Sequence, residues 1–157
     1  GEKVELTVEM GRFFAAPCGH YFTKVIDTKT NMGINYAICD GGLNQLKYDG
    51  QIQGMQIPSI NHIKFRDAES EASAKPWTLC GSLCTTADVL ARNVELTDLQ
   101  SGDVLVFNRT GAYSVMEGMA VFLSREMPKI ALYSREKGLR VIRNFIHSDI
   151  FNTPDLG

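Results

Sequence analysis

The chain has 157 residues, of which 44% are hydrophobic and 22% are charged, and its formal net charge is -2. This length supports one domain with a hydrophobic core but not two large ones. The charge balance excludes the basic surface that nucleic acids or anionic membranes require, and no apolar run reaches the roughly 18 residues of a membrane-spanning helix. The first residues, Gly-Glu-Lys, do not resemble a signal peptide and include no initiator methionine, so we expect a fragment of a longer protein.

The four cysteines are Cys18, Cys39, Cys80 and Cys84. A chain of this size does not need disulfides to fold, and the C-x3-C spacing of Cys80 and Cys84 matches no common zinc pattern. We therefore expect reduced, mostly buried thiols, no metal site and a cytoplasmic location.

The first third of the chain predicts short strands. Residues 4–9 alternate apolar and polar side chains, as a half-buried strand does. Residues 20–28 are rich in β-branched and aromatic side chains, and residues 34–39 return after the Asn-Met-Gly turn at 31–33. These two segments predict a hairpin, which the Asp-Gly-Gly sequence at 40–42 ends.

The middle of the chain continues this pattern. Residues 60–65 alternate and predict a strand, residues 67–75 are small and polar and predict an exposed loop, and residues 77–79 resume β character. A connection is predicted over residues 96–102, followed by a strand over residues 103–107.

The last third predicts a second hairpin, formed by residues 129–133 and 139–143. Residues 120–123 fit a strand or a helical turn, and residues 148–151 fit one terminal helical turn. Many short strands with glycine-containing turns predict a mainly β fold, a Greek-key barrel or sandwich with one or two short helices.

Four segments place polar or charged groups beside glycine after a predicted strand, where functional sites are often built. In the first, Gly11 permits close backbone approach, and Arg12 offers a planar fork of donors to a phosphate or carboxylate. Glu9 is suited to accept a hydrogen bond from a cationic ring nitrogen. The alternative is a strand end with an exposed Glu–Arg pair.

The other three segments have equally plain alternatives. In residues 81–88, Cys84 and Asp88 are placed to face one cavity, or they are a small buried thiol and a helix cap. Tyr113 follows two small residues and could offer its hydroxyl to an anion, or it is an ordinary strand aromatic. Residues 39–44 read as a turn.

The order of these motifs resembles the C-terminal half of the fold-type III pyridoxal-phosphate-dependent decarboxylases, which act on diaminopimelate, ornithine and arginine. The resemblance runs from about residue 6 to residue 143, and the diaminopimelate group is the most similar by its motifs. The motifs in chain order are Glu-x-Gly-Arg, Asp-Gly-Gly-x-Asn, Cys-Gly-x-Leu-Cys-x-x-x-Asp-Val-Leu-Ala-Arg, Gly-Asp-x-Leu-Val, Gly-Ala-Tyr and Phe-Leu-Ser-Arg.

The resemblance implies that residues 1–157 are a single C-terminal β-domain. Residues 1–12 would include the last strand of a TIM-like barrel domain that holds pyridoxal phosphate. By the same resemblance, Glu9 pairs with the pyridine nitrogen, while Arg12 and Tyr113, with Gly11 beside them, bind the cofactor phosphate; a substrate carboxylate is the other ligand implied for Arg12.

The resemblance also implies a homodimer with shared active sites that act on a small-molecule amino acid, with neither nucleic acid nor membrane as a partner. Cys84 would reach the active site of the partner subunit and donate a proton, and Thr85 and Asp88 would line the substrate pocket. We expect Glu9, Arg12, Cys84 and Tyr113 to lie along one rim of the domain.

Departures from the pattern bear on substrate and activity. Thr85 stands where these decarboxylases commonly carry an acid for a distal amine, and residues 45–49 lack the arginine that grips a distal carboxylate. Both indicate an amino acid with a less charged tail or one tethered to a carrier. Met10 replaces a proline, which changes local rigidity more than chemistry. The Schiff-base lysine belongs to the barrel, so the isolated chain is predicted to be inactive.

Two alternatives remain from the sequence. One is a non-catalytic β-barrel binding or scaffold module in which Cys84 is a passive thiol. The other is an alanine-racemase-like domain, against which the segment around Cys84 argues.

Overall fold

The computed structural model describes residues 3–48, 59–66 and 72–155. The first element is a single α-helical turn, α1 (Gly11–Ala15). Strands dominate the rest: β1 (His20–Asn31), β2 (Ile34–Cys39), β3 (Ile60–Ile63), β4 (Ala74–Cys80), β5 (Val89–Thr97), β6 (Val104–Asn108), β7 (Ile130–Ser134) and β8 (Gly138–Arg143). Short 3-10 turns lie at Ala16–Cys18, Phe122–Ser124 and Asp149–Phe151.

Strand β1 organises the main sheet, whose six strands have the order β3-β6-β1-β2-β4-β5. Residues 20–24 of β1 pair with β6, and its remaining residues pair with β2. The register shifts between Val25 and Asp27, where the strand passes from one partner to the other. Irregularities of this kind bend and twist a sheet. The sheet therefore curls into a half-barrel, which confirms the predicted mainly β fold.

Both predicted hairpins are confirmed. Between β1 and β2, Met32 and Gly33 have φ of 49° and 78°, the positive pair that a type I′ hairpin turn requires. Strands β7 and β8 form a separate antiparallel pair. The predicted terminal turn is present as the 3-10 turn at Asp149–Phe151.

The predicted strand at residues 4–9 is wrong. Residues 3–10 lie in no strand, and Val4, Leu6 and Val8 are 89%, 85% and 61% exposed. Within the described residues nothing pairs with this segment, and a lone strand cannot satisfy its backbone groups. Its membership of a barrel domain stays a prediction.

Strand β5 was missed, and its last two residues fall in the predicted connection at 96–102. The reason is that β5 pairs irregularly with β4. The register shifts on both sides of Leu79, and Asn93 in β5 has a positive φ of 55°. Such bulges destroy the strict alternation by which a strand is recognised. Of the predicted loop at 67–75, residues 67–71 lie outside the described residues, and residues 74–75 belong to β4.

The hydrophobic core includes residues of the main sheet and fixes the segment that follows β2. Leu46 is fully buried, and the Tyr48 ring meets the edge of buried Phe107 at 5.2 Å between centroids. Because of this burial, residues 40–48 are held against the core.

The cysteines are all free, as predicted, but they are not mostly buried. Cys39 is in the core, where burial raises the pKa of its thiol to about 12. Cys80 is half-buried, and Cys18 and Cys84 are exposed. None of the helices in the described ranges is long and apolar enough to span a membrane.

Asp88 joins two loops through a buried carboxylate that is 3% exposed. Its two oxygens accept hydrogen bonds from the backbone amides of Leu43 and Leu83, each at 2.8 Å. A methyl group at Gly42 or Gly81 would come within 2.5 or 2.2 Å of this carboxylate, so neither loop tolerates a side chain there. The carboxylate thus fixes residues 81–88 against residues 40–48.

A second buried carboxylate, Asp103, is 2% exposed and precedes β6. It accepts hydrogen bonds from His62 Nε2 at 2.7 Å, from the Arg66 guanidinium and from the Gln100 amide at 2.9 Å. Burial works to raise the pKa of Asp103, but the hydrogen bonds from Arg66 and His62 outweigh it and leave the pKa below its usual value. This cluster ties β3 to the start of β6.

Replacing Asp88 with Asn should destabilise the domain by about 2 kcal/mol, because one of the two buried amides would lose its acceptor. Urea denaturation of the chain measures the change. Asp27→Asn, at an exposed strand position, is the matched control and should cost less than about 0.5 kcal/mol. Equal stability of the two variants would contradict the structural role of Asp88.

Replacing Asp103 with Asn should cost about 3 kcal/mol at neutral pH, because the Arg66 guanidinium loses this buried carboxylate partner. The pKa of Asp103 is lower in the folded chain than in the unfolded chain, where it is about 4. The stability that the ionised Asp103 contributes is therefore present above about pH 4 and is lost as the pH falls through the pKa of the folded chain. The measurement is the difference in unfolding free energy between the chain and Asp103→Asn across pH. That difference should shrink below about pH 4. Exposed Glu136→Gln is the control, and a difference that stays constant in acid refutes the prediction.

Candidate active site

Arg12 and Tyr113 form the centre of the candidate site. The Arg12 guanidinium carbon lies 4.9 Å from the centroid of the Tyr113 ring, and its Nη1 donates to the Ala112 carbonyl at 3.2 Å. Gly11 lies against the same tyrosine, since a methyl group added there would be 2.7 Å from the Tyr113 hydroxyl. The structure therefore brings together Gly11, Arg12 and Tyr113, which are about 100 residues apart in sequence.

Backbone contacts hold these residues in place. The amide of Gly111 donates to the Ala16 carbonyl at 3.0 Å, and the amide of Thr110 donates to the Gly19 carbonyl at 2.9 Å. A side chain at Gly19 would meet the Gly111 backbone at 2.3 Å, so only glycine permits this approach. The short α1 is thereby fixed beside the turn that carries Tyr113.

The donors of this site suit an oxyanion. Arg12 offers the planar fork that matches phosphate or carboxylate, and Tyr113, 54% exposed with a φ of 63°, offers a hydroxyl beside it. The absence of a side chain at Gly11 leaves the Tyr113 hydroxyl uncovered on that side. This donor set fits the phosphate group of a cofactor such as pyridoxal phosphate.

The second group of predicted residues lies on the loop between β4 and β5. Cys84 is exposed at its tip, and Asp88 is buried at its base. The Thr85 hydroxyl accepts a hydrogen bond from the Ala87 amide at 3.2 Å, so it stabilises its own loop. The described contacts of Asp88 are structural, and they support a role in holding the turn.

Residues 40–48 connect the two groups. The amide of Leu43 donates to Asp88, and its carbonyl accepts from the amide of Met119 at 2.7 Å. Further along, the amide of Lys47 donates to the Ser114 carbonyl at 2.8 Å. The loop of Cys84 and the turn of Tyr113 are therefore held by one buried segment.

Arg125 makes hydrogen bonds near the loop of Cys84 that the sequence did not predict. Its Nη2 donates to the Ser82 hydroxyl at 2.7 Å, two residues from Cys84, and its carbonyl accepts from the buried Ser148 hydroxyl at 2.6 Å. Arg125 belongs to the Phe-Leu-Ser-Arg motif, which marked the resemblance but indicated no contact.

Lys47 and Glu117 were also missed as neighbours of Arg12. Glu117 lies 3.3 Å from Lys47 Nζ and 4.0 Å from Arg12 Nη2. Neither residue carries a sequence signal, because their pairing depends on how two loops meet.

Glu9 is not joined to this group by the described contacts. It lies in the exposed segment 3–10, three residues before Arg12. Within the described ranges, no cluster of three or more histidine, cysteine, aspartate or glutamate side chains is arranged to hold a metal ion.

Known proteins share both the sequence and the fold. The chain is 36% identical over 139 residues to the 2-[(L-alanin-3-ylcarbamoyl)methyl]-2-hydroxybutanedioate decarboxylase of Staphylococcus aureus, covering 87% of the chain and 35% of that protein. It is 27% identical over 139 residues to the L-glutamyl-[BtrI acyl-carrier protein] decarboxylase of Niallia circulans, covering 87% of the chain and 32% of that protein. The crystal structure of diaminopimelate decarboxylase from Methanocaldococcus jannaschii has the same fold, with a TM-score of 0.75, 23% identity and coverage of 93% of the chain and 32% of that structure.

The chain thus spans about a third of the length of these relatives. The family model for the C-terminal sheet domain of pyridoxal-dependent decarboxylases matches residues 13–111, which confirms the predicted family. The chain belongs to the pyridoxal-dependent decarboxylase family as its C-terminal sheet domain.

Proposed function

We propose that this chain is the C-terminal β-domain of a cytoplasmic, pyridoxal-phosphate-dependent amino-acid decarboxylase that works as a homodimer. The observation that carries the proposal is the Arg12–Tyr113 pair, an oxyanion site built on a domain of this family. The remainder of each active site comes from a barrel domain and from the partner subunit.

Exposed apolar side chains support packing against further protein. Tyr133, Leu139 and Val141 on the β7–β8 pair are 69%, 71% and 57% exposed. Apolar surface of this kind marks interfaces, and a two-stranded sheet is only marginally stable alone.

Each residue has a defined part in the proposed reaction. Pyridoxal phosphate, when bound, withdraws electrons from the substrate carbon that loses carbon dioxide. Arg12 and Tyr113 hold its phosphate group, and Glu9 accepts a hydrogen bond from the protonated ring nitrogen. Cys84 donates a proton to the substrate carbon in the partner's site, which its exposed position permits.

Exposure of Cys84 also weighs against the alternative of a non-catalytic module. A passive core thiol would be buried, whereas Cys84 is exposed on a loop that Asp88 and Arg125 hold in place. A fixed and accessible thiol fits a role in chemistry.

The proposed substrate is an amino acid joined to a larger group. The S. aureus relative is named for a substrate in which an alanine unit is attached to a hydroxybutanedioate. The N. circulans relative is named for a glutamyl group on an acyl-carrier protein. Thr85 supports this choice, because a neutral hydroxyl that stabilises its own loop provides no charge for a distal amine.

The test uses the full-length protein that contains this sequence, assayed for carbon dioxide release on free, carboxyacyl-linked and carrier-tethered amino acids. Cys84→Ala should lower kcat about 100-fold with the cofactor affinity unchanged, because only the proton donor is lost. Tyr113→Phe and Arg12→Lys should instead weaken cofactor binding roughly tenfold.

The matched control is Cys18→Ala, which removes another exposed thiol and should leave kcat unchanged. Equal kcat in the two cysteine variants, or no release of carbon dioxide from any substrate, would reject the proposal.

The chain alone should neither hold the cofactor tightly nor catalyse, because the lysine that anchors the cofactor is proposed to lie in the barrel domain. Mixing the chain with pyridoxal phosphate and passing it through a desalting column should leave no visible absorption with the protein. A stable visible band at one cofactor per chain would contradict this expectation.

A further inference from the structure

One carboxylate, that of Glu117, lies near two cations: Lys47 and Arg12, which covers the Tyr113 ring. Glu117 Oε2 is 3.3 Å from Lys47 Nζ, and its Oε1 is 4.0 Å from Arg12 Nη2. The three side chains are each about 40% exposed, so solvent and ligands can reach them. The ammonium group of Lys47 and the guanidinium group of Arg12 thus share the Glu117 carboxylate.

The backbone on both sides of this cluster is fixed. Lys47 lies between buried Leu46 and Tyr48, and its amide bonds the carbonyl of Ser114 at 2.8 Å. Glu117 follows Tyr113 by one turn, closed by a 3.0 Å bond from its amide to the Tyr113 carbonyl. Lys47 therefore cannot drift from the site, although its long side chain can reorient.

The charges of the cluster suit a ligand with two negative charges. Arg12, Lys47 and Glu117 together carry a net charge of +1, so with Glu117 in place they balance only half of the charge of a dianion. If a dianion takes the place of the Glu117 carboxylate, it can contact the same two cations that Glu117 now contacts. Glu117 sits on a turn rather than in the core, so its side chain has solvent into which to move.

We propose that Lys47 is a second cationic contact of the Arg12–Tyr113 site and that Glu117 is the counter-ion which a dianionic ligand displaces. The ligand is a phosphate monoester or the dicarboxylate tail of a substrate, which share this chemistry. This inference rests on the proposed function, in which Arg12 and Tyr113 bind an oxyanion. It adds Lys47, which raises the affinity for the anion, and Glu117, which lowers it.

The experiment measures binding of inorganic phosphate and, separately, malonate to the full-length protein that contains this sequence, freed of its cofactor, by calorimetry at low ionic strength. Lys47→Met should weaken binding roughly threefold to fivefold, and Glu117→Gln should strengthen it by a similar factor, as expected for half-exposed charges. Lys137→Met and Glu136→Gln, in the turn between β7 and β8, are the matched controls and should leave affinity unchanged. Thermal unfolding of each variant verifies that it is folded.

The two ligands identify the source of the anion. An effect of Lys47→Met on phosphate assigns the contact to a phosphate monoester, and an effect on malonate alone assigns it to a dicarboxylate tail; either result supports the proposal.

Two results overturn it. In the first, phosphate binding depends on Arg12 but is the same in Lys47→Met as in the controls, or it is weakened in Glu117→Gln. The roles proposed for Lys47 and Glu117 are then wrong, while the Arg12–Tyr113 site stands. If neither anion binds, or binding ignores Arg12→Lys as well, the oxyanion site itself fails, and this proposal fails with it.

Discussion

The buried carboxylate of Asp88 is the constraint on which the arrangement of the site depends. It satisfies two backbone amides on different loops, and two glycines allow the loops to approach it closely. A buried charge of this kind is tolerated because both oxygens have donors, and the same donors make it costly to disturb. The exposed thiol of Cys84 lies on a loop that this interaction and Arg125 hold in place.

The segment after β2 links the Asp88 carboxylate to the turn that carries Tyr113. Leu46 and Tyr48 anchor it in the core, and its polar backbone groups reach the turn that carries Tyr113. Arg12 then docks on the tyrosine ring from α1, held by backbone contacts near Gly19. An oxyanion site and an accessible thiol thus occur on one scaffold, each fixed by burial elsewhere.

At the site, the cations Arg12 and Lys47 both lie near the Glu117 carboxylate. The net charge of these three side chains is +1, which favours anions over amines. Apolar side chains are also exposed on β7 and β8 and along segment 3–10, and exposed apolar surface of this kind is typical of protein interfaces.

By itself, the sequence determined the strand-rich fold, both hairpins and the decarboxylase family, because alternation, turn residues and motif order are local properties of the chain. It failed at residues 4–9, where alternation had no neighbouring strand, and at β5, where bulges hid the alternation. Only the tertiary structure decided which residues meet: Arg12 with Tyr113, Asp88 with Leu43, and Lys47 with Glu117. These contacts join positions 45 to 101 residues apart, and pairings at such separations are set by how loops pack on the sheet, which no local pattern records.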